Sequence, residues 1–310
     1  MRAFVRPIRL LFLLTVLMSI GSPPVLAQGA AQATGAEDRQ REVKAAIAAA
    51  EKAGTNGPAD VRLLDQATMH LPAAMRFVPP EEAARLLRAF GNRVLSNPVG
   101  LVYGTRGSDD WFVVVRFVKD GYIKDDDARD WNADELLKSL RDGTEEANQD
   151  RVSRGFAELE IIGWIAPPKY DFSTHRLVWS LAQKDKGEPT QAVQGVNYNT
   201  NALGREGHFS LNLVTDSAQF PSARPLADAL MNGLIFDNGK RYEDFNGSTD
   251  HVAEYGLAAL IGVVAAKKLG LLALVGVFLL KFAKVGALIA LGGAAAVAKF
   301  FRGRKPGGNV

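Results

Sequence analysis

The chain sets stretches of alternating apolar and polar residues against stretches of helical spacing, and it ends in an apolar tail of a different kind. Residues 61–71, 74–78, 99–103, 111–118, 158–165, 176–182, 193–201 and 208–214 read as strands. They are rich in β-branched and aromatic residues and bounded by Gly, Pro or Asp. The segment 111–118 (WFVVVRFV) is almost continuously apolar, which predicts a central strand covered on both faces. Pro72 and the pair Pro167 and Pro168 are expected to end the strands before them. Helical spacing marks residues 37–53 through Val43, Ile47 and Ala50, and 81–90 through Ala84, Leu87 and Phe90. It marks 133–152 through Leu136, Leu137 and Leu140, with Asn132 as N-cap and Glu135 at the third position of a capping box. Residues 225–234 form a fourth helix, and 203–207 (LGREG) joins the last two long strands as a hairpin. The order predicts an α+β fold over 61–250, a mainly antiparallel sheet with helices packed on one face.

Both ends depart from this pattern. Residues 1–27 resemble a signal peptide: Arg2, Arg6 and Arg9 precede an apolar run over 10–20, and Val25 and Ala27 suit cleavage after Ala27. A Gly/Ala/Gln linker is expected over 28–35. The tail, 251–310, contains no Asp or Glu after Glu254. Its uncharged runs, 269–280 and 285–298, are each shorter than the ~20 residues of a spanning helix. Lys281 and Lys299 are 18 residues apart, about 27 Å on a helix and close to the hydrocarbon thickness. Their ammonium groups can snorkel to opposite interfaces, which predicts a membrane anchor over 282–298 flanked by Lys281, Lys284 and Lys299. Arg302 and Arg304 then place the far end in the cytoplasm and the domain in the periplasm. Residues 252–280 form a further apolar helix that lies on the interface or packs on the domain. A two-pass hairpin turning at 281–284 and a buried soluble helix pair are the alternatives.

Charge sharpens the division. The 37 basic and 34 acidic residues nearly cancel over the whole chain. Without the three arginines of the first 27 residues and the eight basic residues after Gly256, the domain carries 26 against 34. An acidic domain argues against nucleic acid as a partner. With no Cys, disulfides, Cys-bound zinc and thiol catalysis are excluded.

Two clusters carry candidate chemistry. Asp125, Asp126, Asp127 and Asp130 could hold a hard cation, or could form a solvated loop ahead of a helix N-terminus. The spacing is not that of an EF-hand, because Glu135 stands where Gly is needed. Asn197, Asn199 and Asn201 alternate along one strand, and His208, Ser210 and Asn212 along the next. Their amides, imidazole and hydroxyl form a polar ledge able to read a sugar or peptide, or simply the wet face of a sheet. The four histidines, His70, His175, His208 and His251, show no metal-ligand spacing. No catalytic or nucleotide-binding signature is present, and no cofactor is expected.

Five stretches carry a family resemblance: 65–72 (DQATMHLP), 143–151 (GTEEANQDR), 163–179 (GWIAPPKYDFSTHRLVW), 197–207 (NYNTNALGREG) and 236–261. On these the chain resembles the bacterial family catalogued as domain of unknown function 2167, described as predicted membrane-anchored proteins. The resemblance implies an exported domain with a C-terminal anchor and supplies no catalytic residues. More distantly, the strand-rich middle is similar to the α/β/α sandwiches of photosystem accessory proteins, a likeness that implies no function. The expected function is a non-enzymatic envelope binding or scaffold module whose partners are the lipid bilayer and an envelope protein. A periplasmic hydrolase or carbohydrate-active enzyme is the first alternative. A membrane-stress sensor that reads lipid packing through 252–280 is the second.

Overall fold

The computed structural model describes residues 26–261 apart from 93, 95–97 and 190–193, with side chains from residue 38 onward. Helix α1 (Leu26–Ala53) runs through the stretch expected to be a linker. Strands β1 (Thr55–Asn56), β2 (Ala59–Leu63), β3 (Ala67–Leu71) and β4 (Met75–Val78) follow, then helix α2 (Pro80–Ala89). Strands β5 (Gly100–Gly104) and β6 (Phe112–Val118) lead to helix α3 (Ala133–Ser153). The long strands β7 (Leu159–Asp171), β8 (Arg176–Asp185), β9 (Gly195–Leu203) and β10 (His208–Asp216) come next. Helix α4 (Phe220–Asn232), strand β11 (Leu234–Phe236) and the short helix α5 (Ala258–Ile261) complete the described order.

The strands form two sheets. Eight are arranged β1-β4-β5-β6-β10-β9-β8-β7 and three as β11-β3-β2, with every ladder antiparallel. β6 lies near the middle of the large sheet, as its apolar run predicts. Residues 61–71, expected as one strand, are two: the chain reverses at Leu64, whose φ is +56°. β7 continues through Pro167 and Pro168 instead of ending there. It is the edge strand and its ladder to β8 is broken by register shifts, so the missing amide hydrogens interrupt no pairing.

Helices cover both faces, not one. Val113, Val115, Phe209, Leu211 and Leu213 pack with Leu230 and Met231 of α4 and with Leu63, Met69 and Leu71 of the small sheet. On the opposite face, Val78, Leu101, Tyr103 and Val114 pack with Ala46 and Ala50 of α1 and Leu86 and Leu87 of α2. Farther along that face, Leu177, Trp179 and Leu203 pack with Leu136 of α3, Ile261 of α5, and Ile123, Tyr242 and Leu257. This face therefore carries two separate apolar patches, one under α1 and α2, the other under α3 and α5.

α3 forms as its pattern predicts. Asn132 Oδ1 accepts the amides of Asp134 and Glu135 at 2.9 and 3.3 Å, satisfying two of the otherwise unpaired donors of the first turn. Of the apolar helix expected over 252–280, residues 252–257 are not helical and 262–280 lie outside the described residues. Val252 bridges to Tyr122, and the helical turn starts at Ala258. Among the described residues no helix is long and apolar enough to cross a membrane. The expected span 282–298 and its flanks Lys281, Lys284, Lys299, Arg302 and Arg304 lie outside the described residues, as do residues 1–25 of the expected signal peptide.

Candidate functional site

Ladder register decides which side chains of the large sheet share a face. Asn199 of β9 stands opposite Asn212 of β10 on one side and Trp179 of β8 on the other, and Asn212 stands opposite Val114 of β6. The next row is Leu177, Asn201, Ser210 and Arg116. Directly paired residues point the same way, so these rows lie on the face that carries the two helical patches. Its outer strands are apolar, through Leu177, Trp179 and Leu181 of β8 at one side and Leu101 of β5 and Val78 of β4 at the other. Between them runs a polar strip of Asn197, Asn199, Asn201, Ser210, Asn212 and Arg116. Strand spacing and rise make it about 10 Å wide and about 13 Å long.

The ledge predicted from alternation thus forms, and β6 widens it by one residue. Asn212 Nδ2 donates to Asn199 Oδ1 across the hairpin. Asn197, Asn199, Ser210, Asn212 and Arg116 are half-buried, and Asn201 is buried. His208 is also buried at one end of the strip, opposite Leu203 and Val118. Burial pushes its pKa down to about 4, only partly offset by the Asp120 carboxylate, and its Nδ1 has no hydrogen-bond partner. His208 is accordingly a neutral core side chain rather than a donor on the open ledge.

Arg116 is the residue that sequence reasoning passed over. It is the one charge within β6 (FVVVRFV). That isolation was the available signal, because a single Arg in an apolar strand marks which face is wet. Burial lowers its guanidinium pKa from the ordinary value, with no compensating carboxylate.

The acidic cluster is divided between two tasks. Asp125 Oδ2 accepts the Tyr170 hydroxyl at 2.9 Å and lies 3.6 Å from His175 Nδ1. The Tyr170 hydroxyl is also 3.1 Å from His175 Nδ1. Rings extend the cluster: His175 lies 4.1 Å from Tyr242, Tyr242 stacks on Tyr122 at 4.4 Å, and Tyr122 stacks on Phe245 at 3.8 Å. Burial, then the neighbouring carboxylate, holds the Tyr170 hydroxyl well above its usual pKa, so it stays protonated. Asp127 faces elsewhere, accepting the amides of Leu257 and Ala258 at 3.0 Å each. Asp126 and Asp130 fall at the first helical residue and the C-cap of the short 3-10 turn Asp126–Arg129. Among the described residues no group of three His, Asp or Glu side chains is placed to hold a metal ion.

A third polar constellation ties the β9–β10 turn to the small sheet. Arg205 grips Asp250 with two hydrogen bonds of 2.6 and 2.8 Å. Lys240 pairs with Glu206 at 2.5 Å, and Gln66 donates to the same carboxylate at 3.1 Å. These contacts join segments 65–66, 205–206 and 237–250, and they read as structural clasps.

A comparison with curated proteins gives no match. Among solved structures, the solution structure of cyanobacterial PsbP (CyanoP) from Synechocystis sp. PCC 6803 is similar at 10% identity over 59% of this chain and 91% of that chain, with a TM-score of 0.36. We draw nothing from a likeness of that degree. The family model described as protein of unknown function (DUF2167) matches residues 55–292, from β1 through the described domain and well into the tail. The chain belongs to the DUF2167 family.

Proposed function

We propose that this protein is a non-enzymatic binding module of the bacterial envelope, held at the inner membrane by residues 282–298 with its folded domain in the periplasm. One observation carries the binding reading. The polar strip sits between two apolar patches, where a merely solvated sheet face would not be flanked by helices on either side. Amides, a hydroxyl and a guanidinium recognise hydroxyl-rich or peptide ligands by hydrogen bonds. Amides and a guanidinium supply no general base at neutral pH to activate the hydroxyl as a nucleophile. The anchoring reading rests on the lysine spacing of the tail and the basic residues beyond it.

In-cell photo-crosslinking tests this reading. A photoreactive residue at position 197, on the strip, at native expression, is expected to yield a discrete adduct in the envelope fraction. A residue at position 235, exposed on the small sheet, is expected to yield none. Equal labelling at both positions contradicts a site on the strip.

A hydrolytic reading draws on the meeting of Asp125, Tyr170 and His175. It predicts that Asp125→Asn abolishes turnover of a glycan or ester substrate while leaving the melting temperature unchanged. On the binding reading, Asp125→Asn lowers the melting temperature, because it weakens the contact that holds the β7–β8 hairpin.

A further inference from the structure

Arg116 is half-buried on the strip, beside Ser210 and one row from Asn212 and Asn199. No hydrogen bond or ion pair to its guanidinium occurs among the described residues. The contrast with other arginines of the domain is informative. Arg62 pairs with Asp237, Arg85 with Glu42, Arg154 with Asp150 and Arg205 with Asp250. Arg141, more exposed, still donates to the carbonyls of Ile161 and Ile162. Arg176 donates to Asn232 and to the carbonyl of Met231.

A guanidinium withdrawn from water without a partner costs free energy, and the cost falls when an anion meets it. Arg presents parallel N–H donors in a planar fork that matches a carboxylate or phosphate. Ser210 adds a hydroxyl, and the Asn199–Asn212 pair leaves one amide donor group and one carbonyl acceptor outside their mutual hydrogen bond. The strip thus combines one cationic fork with neutral donors and acceptors about one strand spacing away. No carboxylate stands in the two central rows to repel an anion.

We infer that the strip selects a ligand bearing an oxyanion, a carboxylate or phosphate on a hydroxyl-rich body, with Arg116 binding the anion and the Asn199, Asn212 and Ser210 side chains binding the body. This rests on the binding reading above and gives that same site its ligand class. A sugar acid and a glycerol phosphate share the required chemistry, and the test separates them.

The test uses the full chain in neutral-detergent micelles. Glucuronate, glycerol 3-phosphate and uncharged glucose are titrated by calorimetry, and Arg116 reactivity toward phenylglyoxal is followed by mass spectrometry. At least one anion is expected to bind ten-fold or more tightly than glucose and to protect Arg116 from modification. Arg116→Gln is expected to weaken that binding ten- to hundred-fold, with Arg116→Lys recovering part of it. Glucuronate alone binding assigns a carboxylate, and glycerol 3-phosphate alone assigns a phosphate. The inference is overturned if glucose binds as tightly as both anions, if neither anion binds, or if anion binding survives Arg116→Gln. Should Arg116→Gln unfold the protein, protection of the wild-type side chain decides the matter. A strip that still crosslinks at position 197 while failing these tests keeps the binding reading and loses the anion.

Discussion

The carboxylate of Asp127 accepts the backbone amide of Leu257 at 3.0 Å across 130 residues of sequence, and its second oxygen accepts that of Ala258. The amides capped are those at the start of α5, where the described chain turns toward the tail. An Asp at a helix N-terminus satisfies donors that the helix itself leaves unpaired and places negative charge at the positive end of the dipole. Here the cap comes from a distant loop, so it also clasps α5 to the domain. Leu257 and Ile261 complete that contact by burying themselves against Ile123, Leu136 and Trp179.

Asp127→Ala is expected to lower stability by about 1–2 kcal/mol, the usual cost of losing such a cap. Hydrogen exchange should rise at Leu257 and Ala258 well before β10 is affected. Gly256→Ala should reproduce the effect, because a Cβ there would lie 2.5 Å from Asp127 Oδ2 and push the carboxylate away. Unchanged exchange at both amides would show that the clasp is not holding the turn.

Asn148 is 1% exposed on α3 and stands in for a strand neighbour. Its side chain donates to the Leu159 carbonyl at 2.9 Å and accepts the Leu159 amide at 2.8 Å, fixing the start of β7. Asn148→Ala leaves both backbone groups without this partner and is expected to cost about 2–3 kcal/mol by denaturant unfolding. Asn148→Asp should cost more, since a carboxylate cannot donate to the carbonyl.

Acid should destabilise the domain in two stages. His208 titrates near 4 in the fold and near 6.5 when unfolded, so the unfolded chain binds the extra proton between those values. Its contribution is complete above about pH 6.5 and is lost as pH falls to about 4, on the order of 3 kcal/mol in all. Asp250 follows at lower pH. Its hydrogen bonds from Arg205 and the Asn246 amide hold its carboxyl well below the usual range, so its contribution disappears as pH falls below about 4. His208→Leu should flatten the upper stage of a stability-against-pH curve and leave the lower stage in place.

Phe209 lies fully buried at the centre of the opposite face, where it contacts the rings of Phe117 and Phe236. Phe209→Ala is expected to cost about 3–5 kcal/mol. It should do so without changing ligand contacts at position 210, because neighbouring side chains on a strand point to opposite faces.

Much of this architecture was legible as local pattern. Asn132 ahead of Leu136 and Leu140 marked α3 to within a residue or two of each end, because capping is a short-range device. Alternation along β9 and β10 put Asn197, Asn199, Asn201, Ser210 and Asn212 on one face, because the pleat has a period of two. Long-range relations were not legible. Nothing near Asp127 in sequence announces Leu257, and nothing near Asp125 announces His175. Pro167 and Pro168 suggested a strand end because proline lacks an amide hydrogen, a rule that an irregular edge strand escapes. Arg116 went unread because its neighbours Val113, Val114 and Val115 made β6 look apolar on both faces, whereas the face of Phe112 and Val114 turns polar at Arg116.

The claim that the strip is a binding site is tested most directly by the photoreactive residue at position 197 in living cells. A discrete adduct that appears at position 197, is absent at position 235 and is lost on adding Arg116→Gln is the predicted result. No adduct at position 197, or the same adduct from both positions, would contradict it.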